Sequence, residues 1–256
     1  MPKILFCGKG GSGKSTLLAL AALYMGETRD VLVVDADESN TGLARMMGLD
    51  PPEKSLMDFL GGRTSFRRQM GSRTGSDGVR AFFPGPDGSA GRLPAVCESA
   101  RGRLRLTSVG KIEHAHEGCA CPMGVLARKV LRNIPAGVDR WVLVDTEAGI
   151  EHIGRGLLEG MDAVVTVVDP SYDAVALAVK IMKLSAEDGR RCLVLINRVD
   201  GDTEPLLSGA LAREGVTATG IFRNSPFIAE SNLHARPLSV GSFREEIRKL
   251  TEALER

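Results

Sequence analysis

Short, nearly continuous apolar runs recur along the chain and alternate with stretches whose apolar residues return every three or four positions. The first pattern predicts buried strands and the second predicts helices packed on them. Residues 3–7, Lys-Ile-Leu-Phe-Cys, open the series as a strand and lead into a glycine-rich stretch at 8–16. The Ala- and Leu-rich residues 17–24 then predict a helix that stops near Gly26. A valine-rich strand at 31–34 ends at Asp35-Ala36-Asp37, and helices are expected at 41–47 and 53–60. Residues 104–109, 141–145, 163–168, 192–196 and 217–222 read as further strands, with helices at 122–131, 172–184 and 204–213 between them. This alternation predicts an α/β fold, a mostly parallel central β-sheet flanked by helices.

Two stretches depart from the rhythm. Across 61–101, Gly62, Gly71, Gly75, Gly78, Pro84-Gly85-Pro86, Gly88, Gly91 and Pro94 interrupt every period, so an irregular excursion with a short strand near 79–83 is expected. Its length suits a partner or active-site surface, or else a disordered insertion. Residues 242–256 predict a terminal helix in which Ser242 and Glu245 are spaced as a capping box and Phe243, Ile247, Leu250 and Leu254 form the apolar stripe. Glu and Arg are mixed on its polar face, which favours docking on its own domain over a membrane surface.

Composition narrows the class. Apolar residues are 43% and charged residues 25% of 256 positions, the balance of a globular chain, and a single domain over 1–256 is expected. Basic and acidic residues number 33 and 32, so the total charge gives no reason to expect nucleic-acid binding. No apolar run approaches the roughly 18 residues of a membrane span. No export signal is apparent either, so the expectation is a cytoplasmic protein without stable membrane association. Five cysteines, an odd number, do not read as a disulfide framework. Thirty glycines exceed the usual share and call for tight turns or phosphate contacts.

Gly8, Gly13, Lys14 and Ser15 fit G-x-x-x-x-G-K-[ST] between a strand and a helix, the setting that a phosphate-binding loop requires. In such a loop the backbone amides turn inward around phosphate. Lys14 then reaches the β/γ oxygens of ATP or ADP, and the Ser15 hydroxyl ligates Mg²⁺. Asp145 ends an apolar strand, as a carboxylate aiding Mg²⁺ through water would, and Asp35 and Asp37 leave the end of another. These acids also read as helix caps, most readily Asp35.

The loop Lys9-Gly10-Gly11-Ser12-Gly13-Lys14-Ser15-Thr16 resembles the deviant Walker A loop of the MinD, ParA and nitrogenase iron-protein group of P-loop ATPases. That resemblance implies an ATP-driven homodimer in which Lys9 crosses to the nucleotide of the partner subunit. It makes Asp37 the carboxylate that positions or activates water and sets Asp35 nearer the hydrated Mg²⁺. Asn197 becomes the reader of adenine, with Pro226 and its loop packed on the ring. Asn197 could equally satisfy a loop backbone.

Gly118-Cys119-Ala120-Cys121-Pro122 is the second chemical feature, a metal-binding loop at 119–121. Two thiolates make half of a four-ligand site, and the twofold dimer already implied by Lys9 would supply the other half. With Gly110-Lys111-Ile112-Glu113 and the Asp145 to Gly156 segment, the pattern looks like the CooC-type accessory ATPases of nickel carbon monoxide dehydrogenase maturation. That resemblance implies a metallochaperone in which Cys119 and Cys121 of both subunits hold Ni²⁺ or Zn²⁺, with the dehydrogenase as partner. His114 and His116 stand close by as possible further ligands or as plain solvent-facing residues, and Cys7 and Cys192 read as buried small apolar residues. Two rival readings remain, a MinD/ParA-type positioning ATPase and an iron-sulfur ATPase like the nitrogenase iron protein.

Overall fold

The seven apolar runs of 3–7, 31–34, 104–109, 141–145, 163–168, 192–196 and 217–222 all form strands of one sheet. The computed structural model describes residues 2–71, 93–112, 121–134, 140–147 and 156–256. In chain order the elements are β1 (Lys3–Gly8), α1 (Lys14–Met25), β2 (Asp30–Ala36), α2 (Leu43–Met46), α3 (Leu56–Phe59) and α4 (Gly62–Gly71). They continue with β3 (Ser99–Arg101), β4 (Leu104–Ser108), α5 (Cys121–Asn133), β5 (Arg140–Thr146), β6 (Ala163–Val168) and α6 (Tyr172–Glu187). The last are β7 (Arg191–Val199), α7 (Thr203–Arg213), β8 (Gly220–Arg223), α8 (Pro226–Leu233) and α9 (Arg244–Glu255).

The sheet order is β3-β4-β2-β5-β1-β6-β7-β8. Every pairing is parallel except β3 with β4. Central strands must be apolar on both sides because helices cover both faces, and all six residues of β6 are buried. One face packs Ile4, Phe6 and Val33 against α1 and the Ile247, Leu250 and Leu254 stripe of α9. The other packs Leu5, Val34 and Val144 against Met57, Phe66 and the Leu126–Val130 face of α5. α1 is buried on most of its circumference, which explains why its sequence carries no polar stripe.

Parallel strands place all their carboxyl ends on one edge of the sheet, so the loops after β1, β2, β4, β5, β6 and β7 gather there. The expected excursion is more regular than its glycines suggest: α4 anchors itself through Phe66, and a 3₁₀ turn at Ala95–Cys97 leads into β3. The short strand expected at 79–83 lies outside the described residues. The capping box does not form. A 3₁₀ turn over Gly241–Phe243 precedes α9 and puts Phe243 at the N-cap, so Ser242 is one residue too early, and Glu245 pairs with Arg248 instead.

Candidate nucleotide site

β1 ends in Gly8, whose φ of 144° suits only glycine and whose Cβ, if present, would lie 2.5 Å from the Val167 carbonyl of β6. The loop then closes with Ser12 N donating to the Lys9 carbonyl, and Gly13 at φ 95° opens α1. No side chain caps that helix, so its first amides are left to an anion at the N-terminus. Lys14 occupies the first helical position and is buried.

β2 and β5 are in register at their ends, where Asp35 faces Asp145 across the ladder. Ser15 Oγ donates to Asp145 Oδ2 at 2.5 Å, and Asn40 Nδ2 reaches the same pair, 2.8 Å from Ser15 Oγ and 3.5 Å from Asp145 Oδ2. Burial pushes the Asp145 carboxyl up to about 7, opposed by the Ser15 hydrogen bond and reinforced by the nearby charge of Asp35. Asp35 is pushed up to about 6, again by burial first, with Lys111 pulling it back. Asp145 Oδ1 is buried without a hydrogen-bond partner. A hydroxyl, an orphaned carboxylate oxygen and two carboxylates that favour a compensating positive charge suit a hard, oxygen-seeking divalent cation, and so fit Mg²⁺.

β2 stops at Ala36, so Asp37 lies in the loop and shares the sheet edge with Asp35. Its Oδ1 accepts from Ser39 N at 2.9 Å, Ser39 Oγ at 2.7 Å and Asn40 N at 3.2 Å. That set of bonds fixes the turn that delivers Asn40 to Ser15. Two residues of this network, Asn40 and Lys111, were not singled out as site residues from the sequence. The one available signal was their nearness in sequence to Asp37 and to the Gly110-Lys111-Ile112 string.

Lys9 turns to its own subunit, its Nζ donating to Ser171 Oγ at 3.2 Å and standing 3.9 Å from Asp173 Oδ2. Asn197, at the end of β7, donates through Nδ2 to the Ser12 carbonyl at 2.7 Å and so braces the phosphate loop. It also lines a cavity of about 350 Å³ with Gly13, Thr16, Arg198, Asn224 and Ile228. Arg198 beside it has φ 59°, at the point where the pairing of β7 with β8 shifts register. Pro226 is not brought to this cavity. It forms the first turn of α8 behind the Ser225 cap and lines a neighbouring cavity with Ser242 and Phe243.

Cys121 is the exposed first residue of α5. Cys119, His114 and His116 lie outside the described residues. Among the described residues no group of three or more His, Cys, Asp or Glu is arranged to hold a metal ion. Cys7 is buried, and burial raises its thiol far above the ordinary range; Cys192 is pushed up to about 12 and Cys97 to about 11, chiefly by burial. Neutral thiols of this kind act as packing groups.

A glycine loop joining the central strand to a buried helix, with Ser15 and Asp145 paired at its base, defines a P-loop nucleoside triphosphatase. No family model matches the chain. An ATP-binding protein of Methanocaldococcus jannaschii, MJ0084, is 35% identical over 253 residues, covering 98% of this chain and 99% of that one. The carbon monoxide dehydrogenase accessory protein CooC of Rhodospirillum rubrum is 32% identical over 188 residues, 73% of this chain and 70% of that one. Among solved structures, the septum site-determining protein MinD of Pyrococcus horikoshii, complexed with Mg-ADP, overlaps 99% of this chain and 95% of its own with a TM-score of 0.64 at 20% identity. The chain belongs to the family of ATP-binding proteins that includes MJ0084 and CooC, and its fold is that of the MinD and ParA ATPases.

Proposed function

We propose that the protein is a Mg²⁺-dependent ATPase that uses its nucleotide cycle to make and break a homodimer. The observation that carries this reading is the Ser15–Asp145 hydrogen bond, set beneath an uncapped helix N-terminus and beside an orphaned carboxylate oxygen. In the proposed cycle the amides of Gly10 to Thr16 and the Lys14 ammonium hold the phosphates. Ser15 and Asp145 hold Mg²⁺, which when bound offsets the phosphate charge. Asp37 orients the attacking water. Asn197 presents its Oδ1 toward adenine while Nδ2 keeps the loop in place. Lys9 exchanges Ser171 for the partner's nucleotide when two copies meet.

For the purpose that the cycle serves, the likeness to CooC supports nickel delivery to carbon monoxide dehydrogenase. Ni²⁺, or Zn²⁺ in its place, would be cargo held by reduced Cys119 and Cys121 of both subunits. A second reading, a positioning ATPase of the MinD/ParA type, is favoured by the overlap of the whole fold with MinD and ParA structures. Anaerobic metal analysis of the reduced protein with Ni²⁺ and ATP, run beside nucleotide-dependent pelleting with anionic vesicles and with DNA, separates the two. One nickel per dimer supports delivery, whereas ATP-dependent pelleting without stoichiometric nickel supports positioning. No helix among the described residues is long and apolar enough to cross a membrane.

A further inference from the structure

Lys111 follows β4 at the mouth of the site, with its side chain only 17% exposed. Its Nζ donates to Asp35 Oδ2 at 2.6 Å, to the Asp37 carbonyl at 2.6 Å and to the Asn40 carbonyl. An ammonium has three N–H donors, and here all three go to one loop. Two backbone amides run alongside: Val109 N donates to the Asp35 carbonyl at 2.9 Å and Ile112 N to the Glu38 carbonyl at 3.1 Å. The loop held in this way carries Asp37 and Asn40, and Asn40 in turn touches Ser15 and Asp145.

We infer that Lys111 is a positioning residue for ATP hydrolysis, fixing the 35–40 loop in the arrangement that sets Asp37 and Asn40 against the phosphate loop. Neutralising Asp35 would need only one of its three bonds. The other two clamp backbone carbonyls on either side of Ser39, in the turn that Asp37 Oδ1 also holds. Lys111 makes none of its bonds with the phosphate loop, so its loss should fall on turnover and leave nucleotide binding in place.

This inference rests on the ATPase reading. The test measures steady-state ATP hydrolysis and, separately, Mg·ADP affinity by calorimetry for Lys111→Met, Lys111→Arg, Asp35→Asn and the Asp35→Asn/Lys111→Met pair. Lys111→Met is expected to lower kcat about 10-fold or more while the Mg·ADP Kd moves less than about 3-fold, and Lys111→Arg should recover part of the loss. The paired variant guards against a folding failure, because it leaves no uncompensated buried carboxylate. In the Asp35→Asn background, Lys111→Met should still lower kcat, because the bonds to the Asp37 and Asn40 carbonyls remain to be lost. If it has no effect there, Lys111 serves only to balance Asp35 and the inference is overturned; a rise in kcat, or a change confined to KM, overturns it as well. Unsubstituted protein that hydrolyses no ATP would bring down the ATPase reading together with the inference, whereas normal turnover in every variant would bring down the Lys111 assignment alone.

Discussion

Lys9 Nζ donates to Ser171 Oγ at 3.2 Å, which ties the phosphate loop to the first turn of α6 within a single subunit. The contact is half-exposed, and the facing Asp173 is mostly exposed, so the tie is weak by the standards of ion pairs. In the proposed dimer cycle, so weak a tie would release Lys9 cheaply for the partner's phosphate.

Lys9→Ala is therefore expected to bind Mg·ADP nearly as well as the unsubstituted protein but to lose ATP-dependent dimerisation and turnover. Lys14→Ala should lose roughly 10- to 100-fold in nucleotide affinity, as removal of a charged hydrogen bond to phosphate does. Calorimetry and mass photometry read the two effects separately. Equal loss of affinity in both variants would remove the division of labour between the lysines.

Glycine is required at two neighbouring positions for different reasons. Gly13 has φ 95° and would place a Cβ 2.2 Å from Asn197 Nδ2, whereas Gly11 has φ 80° and open space around it. Gly11→Ala should cost only the backbone strain, about 1–2 kcal/mol. Gly13→Ala should cost more and should also dislodge Asn197 from the Ser12 carbonyl, abolishing nucleotide binding. Denaturant melts paired with ADP titration check both; a Gly13→Ala protein that binds ADP normally would contradict the geometry.

Asp145 and Asp35 are held near 7 and 6, above the ordinary carboxylate range. A carboxyl whose folded pKa is raised stabilises the fold while protonated, and that contribution is lost as pH rises through the folded value. Nucleotide- and metal-free protein should therefore lose melting temperature between about pH 4 and pH 7 on account of these two groups. Asp145→Asn should flatten that slope and hold the higher melting temperature at pH 8 while weakening Mg·ADP binding. A slope unchanged by the substitution would mean that other groups govern it.

If Cys119 and Cys121 hold the cargo, the reduced dimer should take up one Ni²⁺ or Zn²⁺, with affinity falling at lower pH as protons compete for sulfur. Cys119→Ala and Cys121→Ala should each remove most of that binding and leave Mg·ADP binding by the monomer intact. Elemental analysis across the variants decides the matter; one ion per monomer surviving both substitutions would turn attention to His114 and His116.

The strands were legible because central parallel strands must be apolar on both faces, so runs such as Ala163 to Val168 admit few other readings. The phosphate loop was legible for a similar reason: Gly8 and Gly13 answer to steric contacts that leave a spaced signature. Asn40 and Lys111 carried no such mark, because their importance comes from the register of β2, β4 and β5, which brings residues 15, 40, 111 and 145 to one point. α4 was obscured by the glycines around it, and Phe66 anchors it in the core. Ser242 and Glu245 had the right spacing for a cap but not the right backbone, since a 3₁₀ turn intervened.

Among the described residues the three-residue β3, antiparallel to β4, ends one side of the sheet, and its Ala100 and Arg101 are exposed. A strand so short and so positioned offers a visiting chain almost no ladder on which to zip. The four-residue β8 closes the opposite side, with α9 packed beside it. Growth by strand addition is thus discouraged at both rims of the described sheet, which leaves the loop-bearing edge, with Lys9 and the carboxylates, as the surface that the proposed dimer would use. The assembly proposed above, built there, would be exposed to the chemical state of whatever occupies the loop, and so could be undone by a single bond cleavage.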